Sequence, residues 1–191
     1  MKEIIKQIKE SLKVKRLILD DKEIQRSIKA AAKICSRSLK KGNKIIFAGN
    51  GGSAADAQHL AGELVNRFSF DRPGLSAIAI TTDTSILTSI SNDYGFDKLF
   101  ARQVEAIGKE GDVLISLSTS GNSINILEGI KEAKKAGIIT IGLTGKSGNK
   151  MNKLCDLMLN VPSRETPRIQ EAHILVGHII CSLVEETLFG K

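Results

Sequence analysis

The chain has three histidines, and two of them sit where spacing suggests chemistry. His59 and Glu63 are four residues apart within "FAGNGGSAADAQHLAGELVNRF", residues 47–68. On a helix that spacing puts both on one face. His173 and His178 follow Gln170 in "RIQEAHILVGHIICSL" near the C-terminus. Two imidazoles and a carboxylate suit a divalent cation such as zinc. The same groups suit general acid–base work near neutral pH. Histidines that are merely packed or half-exposed are the bland alternative.

Two loops complement these helices. "GNGGS", residues 49–53, follows an apolar run and opens the His59 segment. Gly49, Gly51 and Ala54 fit a dinucleotide fingerprint in spacing, and such glycines let backbone amides approach a ligand. That fingerprint also wants an acidic residue about twenty positions on, at the end of the next strand. Asp83 is too distant and Asp71 lies in the loop "SFDRPG", so a dinucleotide is disfavoured. "SLSTSGNS", residues 116–123, places Ser118, Thr119, Ser120 and Ser123 around one glycine at the mouth of a helix. Hydroxyls and free amides there make a neutral phosphate cradle. A third segment, "SNDYGFD", reads as a loop whose Asn92 and Asp93 could receive sugar hydroxyls.

These residues need a frame. "KIIFAG", "LSAIAIT", "DVLISLS", "IITIGLT" and "DLMLNV" are short apolar runs, read as buried strands. Helical segments lie between them at residues 53–68, about 84–107 in one or two pieces, 122–136, and a short piece near 148–154. A long final helix spans Thr166 to Leu188. Alternation of this kind predicts an α/β fold, a doubly wound three-layer sandwich on a five-stranded parallel sheet. Ligands in such a sheet bind beyond the carboxyl ends of the strands. Two helices come first. Ile4, Ile8 and Leu12 mark one over 2–19; Ile24, Ile28, Ala31, Ala32, Cys35 and Leu39 mark another, capped by Asp20 or Asp21 and ended at Gly42-Asn43. The expected organisation is one domain, 1–191, with a helical pair over 1–42 and an α/β core over 43–191. The pair either packs on another subunit or covers the sheet.

Composition narrows the partners. The net charge of +7 admits nucleic acid or anionic small molecules. However, the lysines are dispersed among glutamates, and one Tyr, six Phe and no Trp leave little to stack bases on. No nucleic-acid partner is expected. Nor is a membrane partner, since no run of 18 apolar residues occurs. The charged N-terminus lacks the apolar stretch of a secretory signal, so a cytoplasmic location is expected. Cys35, Cys155 and Cys181 form no CxxC pair and read as core thiols.

Together, "GNGGSAADAQHLAGEL", "SNDYGFD", "SLSTSGNS" and "PRIQEAHILVGH" resemble the phosphoheptose isomerase family of sugar isomerase (SIS) domains, over nearly the whole chain. The resemblance implies isomerisation of sedoheptulose 7-phosphate to D-glycero-D-manno-heptose 7-phosphate through an enediol, in heptose biosynthesis. It implies a zinc ion held by His59, Glu63, Gln170 and His178, with Glu63 and His178 as the acid–base pair. Asn50, Gly51, Gly52 and Ser53 would line the substrate with Glu63 and Gln170. Asn92 and Asp93 would take sugar hydroxyls, and Ser118, Thr119, Ser120 and Ser123 the phosphate. It also implies a homotetramer with sites near subunit interfaces. The alternative is a SIS-domain regulator that senses a phosphosugar, or one that binds the replication initiator, without isomerase activity; Glu63 favours the enzyme. Gln170 and His178 are eight residues apart, about 12 Å along a straight helix. For both to reach one metal, the helix start must be distorted or one ligand must come from a neighbouring subunit.

Overall fold

The computed structural model describes residues 1–146 and 150–190. Five parallel strands form one sheet: β1 (Ile45–Gly49), β2 (Ala77–Ala79), β3 (Val113–Leu117), β4 (Ile139–Thr144) and β5 (Leu157–Asn160), in the order β2-β1-β3-β4-β5. Strands β1 and β3 are buried at every position. That is why they read as continuous apolar runs: both faces of the sheet are covered. Gly49 pairs with Leu117, so the loops leaving β1 and β3 emerge side by side.

Helices cover both faces. One core packs α2 (Lys22–Lys40), α3 (Gly52–Val65) and α7 (Thr166–Phe189) against Ile45, Phe47, Ile115, Ile141 and Leu143. The other packs α4 (Thr84–Tyr94), α5 (Leu99–Ile107) and α6 (Ile124–Lys135) against Ile46, Ala48 and Leu114. The doubly wound three-layer sandwich expected from the sequence is therefore present. The segment expected as a helix near 148–154 is a 3-10 turn at Met151–Lys153, and its first residues, 148 and 149, lie outside the described residues.

The two N-terminal helices differ in role. Asp21 caps α2, accepting from the amides of Glu23 and Ile24, and the stripe Ile28, Ala31, Ala32 and Cys35 is buried on the sheet. Helix α1 (Lys2–Asp20) buries only Val14 and Ile18 and leaves Ile4, Ile8 and Leu12 exposed. So α2 belongs to the sandwich while α1 lies outside it. Helix α7 is long and apolar enough to cross a membrane by length and composition alone, but it is a core helix here, with Ile169, Ala172, Val176, Ile180 and Val184 buried. Among the cysteines, Cys35 and Cys181 are buried and Cys155 half-buried. Burial pushes all three thiols up to about 12, as inert structural thiols require.

Candidate active site

The strand order reverses between β1 and β3, the position where open parallel sheets bind ligands. Two loops converge there. After β1 the chain turns through Asn50 and Gly51 into α3. Gly51 caps that helix at φ 55°, a backbone that favours glycine. Ser53 is buried, and its amide donates to the Asn50 carbonyl at 3.0 Å. After β3, Ser118 is buried, Thr119 and Ser123 are half-buried and Ser120 is exposed. The Ser118 and Ser123 hydroxyls lie 3.3 Å apart, and the Gly121 amide donates to Ser118 Oγ at 3.2 Å. Ser123 stands at the N-cap of α6, yet its hydroxyl makes no capping bond, which leaves it available to an anion at the helix terminus.

Asn125 joins the two loops. Asn50 Nδ2 donates to Asn125 Oδ1 and Asn125 Nδ2 donates to Asn50 Oδ1, both at 2.9 Å. Asn125 Oδ1 also accepts from the Ile126 amide at 2.9 Å. This buried residue holds the glycine loop against the hydroxyl loop. Sequence reasoning missed it because a single Asn in a helical stretch carries no spacing signal.

Helices α3 and α7 position the remaining groups. They run side by side in the same direction, with Gly52 against Gln170 and Leu60 against Gly177. A Cβ on Gly52 would lie 2.5 Å from Gln170 Nε2, so only glycine lets that carboxamide reach the start of α3. Further along, His59 Nε2 lies 2.8 Å from His178 Nε2 and 3.0 Å from Glu63 Oε1. Donor atoms of His59, Glu63 and His178 all fall within 4.8 Å of one another. The Phe68 ring packs on His178, centroids 5.7 Å apart. Among the described residues this is the one group of His, Cys, Asp and Glu so disposed.

Gln170 stands apart from that group within one chain. Helix α7 runs unbroken from Thr166 to Phe189, so its start is not distorted toward His178. Eight residues of straight helix separate the two by about 12 Å. The glycine loop is likewise about 10 Å from His59 along α3.

Asp56 was not singled out from the sequence but belongs beside the histidines. It lies three residues before His59 on α3, and its Oδ2 is buried with no hydrogen-bond partner. Burial raises its pKa, and the positive forms of His59 and His178 oppose that shift. The stripe 56, 59, 63 was a legible signal, since i, i+3 and i+7 share a helix face.

One expectation needs correction. Ser91 to Tyr94 do not form a loop but the end of α4. Asp83 caps that helix through the Ile86 amide at 3.0 Å, and Gly95 at φ 87° ends it, so capping overrode the Asn-Asp turn signal. Asn92 donates to Asp93 Oδ1 at 2.8 Å, and both are exposed. Asp93 lines a groove of about 610 Å³ between β2, α4 and α5, which none of the other expected site residues lines. His173 is fully buried in the core, and that burial pushes its pKa down to about 4, with the Thr144 backbone opposing the shift. It is a neutral core histidine.

Comparison with known proteins decides the family. The SIS domain family matches residues 10–145. The chain is 61% identical over 182 residues to phosphoheptose isomerase 2 of Campylobacter jejuni, covering 95% of this chain and 90% of that protein. It is 56% identical over 188 residues to the phosphoheptose isomerase of Burkholderia pseudomallei, covering 98% and 95%.

The chain belongs to the phosphoheptose isomerase family of SIS domains.

The likeness extends to three dimensions. A phosphoheptose isomerase structure from Francisella tularensis superposes with a TM-score of 0.93 at 37% identity, covering 97% of each chain. The chain carries two chemically distinct clusters: hydroxyls and amides on the loops after β1 and β3, and two imidazoles with a carboxylate on α3 and α7.

Proposed function

We propose that the chain isomerises sedoheptulose 7-phosphate to D-glycero-D-manno-heptose 7-phosphate, in heptose biosynthesis. The observation that carries this reading is the convergence of His59, Glu63 and His178 on adjoining helices of a phosphoheptose isomerase family member.

The Ser118–Ser123 loop and the N-terminus of α6 hold the phosphate, and Asn50 to Ser53 line the sugar beside it. Asn92 and Asp93, exposed at the end of α4, take sugar hydroxyls. At the far end, Glu63 or His178 takes the proton from C1 of the ketose. The partner serves the oxygens, so that O2 gains a proton as the enediol forms. Return of a proton to C2 and loss of one from O1 then give the aldose. Asp56 stabilises whichever imidazole is protonated.

The same groups fit zinc. Their separations of 2.8 and 3.0 Å approach the roughly 3.3 Å edge of a tetrahedron built on 2.0–2.1 Å bonds. His59, Glu63 and His178 would hold the ion, and Gln170 of a neighbouring copy would complete the set. When bound, it would polarise the carbonyl or hold the site rigid.

A homotetramer accounts for both separated features, Gln170 and the exposed apolar face of α1. A cytoplasmic location fits a phosphorylated substrate.

The test is turnover with a panel of ketose phosphates in heavy water. Sedoheptulose 7-phosphate should be converted with deuterium at C2 of the product. Glu63→Gln should lower kcat by more than about 10²-fold, within the range for a lost general base. Activity within tenfold of the parent removes Glu63 from the chemistry, and a product free of deuterium at C2 points to a hydride shift.

A further inference from the structure

Just beyond the histidine cluster lies an ion pair that the reaction does not use. Arg72 Nε lies 3.0 Å from Glu185 Oε1, and the two side chains are 2% and 1% exposed. Burying such a pair is costly, and well-packed apolar residues of similar volume are often as stabilising. Its connections suggest another role. Arg72 Nη2 donates to the Glu63 carbonyl at 2.9 Å, and Nη1 donates to the carbonyls of Leu64 at 2.7 Å and Asn66 at 3.0 Å. Glu63 and Leu64 lie in the last turn of α3, whose carbonyls lack intrahelical donors, and Leu64 also accepts from the Leu75 amide at 3.1 Å. Glu185 accepts from the amides of Phe68 at 2.8 Å and Ser69 at 2.7 Å.

The pair therefore grips two things. Arg72 closes the last turn of α3, which carries Glu63. Glu185, seven residues beyond His178 on α7, fixes the segment whose Phe68 ring lies against His178. Burial opposes ionisation of Glu185, but the Phe68 and Ser69 amides and the guanidinium outweigh it and hold the carboxyl below its ordinary value. The clamp stays charged at neutral pH.

We infer that Arg72 and Glu185 are positioning residues that set Glu63 and His178 at their working separation across α3 and α7. The inference rests on the proposed function for what that separation is used for. A guanidinium is needed because one planar fork serves the carboxylate and several carbonyls together; an ammonium is a single point charge and cannot.

The test uses Glu185→Gln, Arg72→Lys and Phe68→Leu, each measured against the parent. Metal-free protein is titrated with Co²⁺, whose absorption reports ligand geometry, and kcat and KM are measured with sedoheptulose 7-phosphate. Both pair variants should fold, bind Co²⁺ about 10- to 100-fold more weakly with an altered spectrum, and lose at least tenfold in kcat. KM should change less than threefold, because the phosphate loops are untouched. Phe68→Leu leaves the pair intact and should alter the Co²⁺ spectrum through His178. Folded pair variants with the parent's Co²⁺ affinity, spectrum and kcat overturn the inference. If the pair variants fail to fold, Phe68→Leu decides: unchanged spectrum and kcat overturn it, a tenfold loss supports it. A parent that isomerises but binds no Co²⁺ sinks the metal reading alone, leaving the split between kcat and KM to judge the clamp. A parent that binds Co²⁺ without isomerising sinks the proposed function, and the Co²⁺ affinities then judge the clamp.

Discussion

Gly177→Ala tests whether the closeness of α3 and α7 is what creates the site. The added Cβ would lie 2.5 Å from Leu60 Cδ1, 2.6 Å from Cδ2 and 3.1 Å from Cγ. Carbons in good contact sit about 3.5–4.0 Å apart, so roughly 1 Å of movement is required. Leu60 is buried in the core, and the void beside it, about 10 Å³, absorbs only part of that. The rest must separate the helices. Gly177 immediately precedes His178 and Leu60 immediately follows His59, so the separation enters the 2.8 Å between their Nε2 atoms. Overpacking costs about 1–3 kcal/mol, while replacing a helical glycine by alanine returns up to about 1 kcal/mol. The expected net loss is up to about 2 kcal/mol, read by denaturant unfolding. Misplacing a reacting group by 1 Å costs about 10² in rate, so kcat/KM should fall by about that factor while the protein stays folded. Leu60→Val in the same chain should recover part of the loss by removing a methylene at the contact. A Gly177→Ala protein with the parent's kcat/KM and Co²⁺ affinity would refute the reasoning.

His173 supplies a pH dependence. Its pKa is about 4 when folded and 6.5 ordinarily, so between those values the unfolded chain binds a proton that the folded chain refuses. Stability should thus fall as pH drops from about 6.5 to about 4, by up to about 3 kcal/mol, and His173→Gln should lack that component in urea titrations; identical slopes for parent and variant would reject the assignment. Asn125→Asp removes the donor to Asn50 and sets a negative charge beside the proposed phosphate loop. KM should rise roughly tenfold or more with kcat nearly unchanged, and an unchanged KM would free Asn125 from any role at the loops. Ile8→Glu with Leu12→Glu puts charge on the exposed face of α1. Light scattering should show the proposed homotetramer dissociating toward 20.6 kDa protomers, whereas an unchanged mass would place any subunit contacts elsewhere.

Much of this protein is legible along the chain, for a definite reason. Parallel strands covered on both faces must be apolar throughout, so Ile45–Gly49 and Val113–Leu117 declare themselves as strands without any knowledge of their neighbours. His59 and Glu63 interact across one helical turn, so four residues of spacing suffice to pair them. Hydroxyl loops at strand ends are likewise local features. What spacing cannot carry is the relation between elements. His178 reaches His59 only because Gly177 admits Leu60, 117 residues away in the sequence and in contact in space. Asn125 reaches Asn50 across 75 residues, and Glu185 reaches Phe68, Ser69 and Arg72 across 117, 116 and 113, so no local pattern marks these links. Asn92 and Asp93 show the converse: a turn-like dipeptide was drawn into α4 by caps at Asp83 and Gly95. Gln170 and His178 share a helix that sequence alone left free to bend; in the folded chain α7 runs unbroken in a core shared with α2 and α3 and holds them about two turns apart.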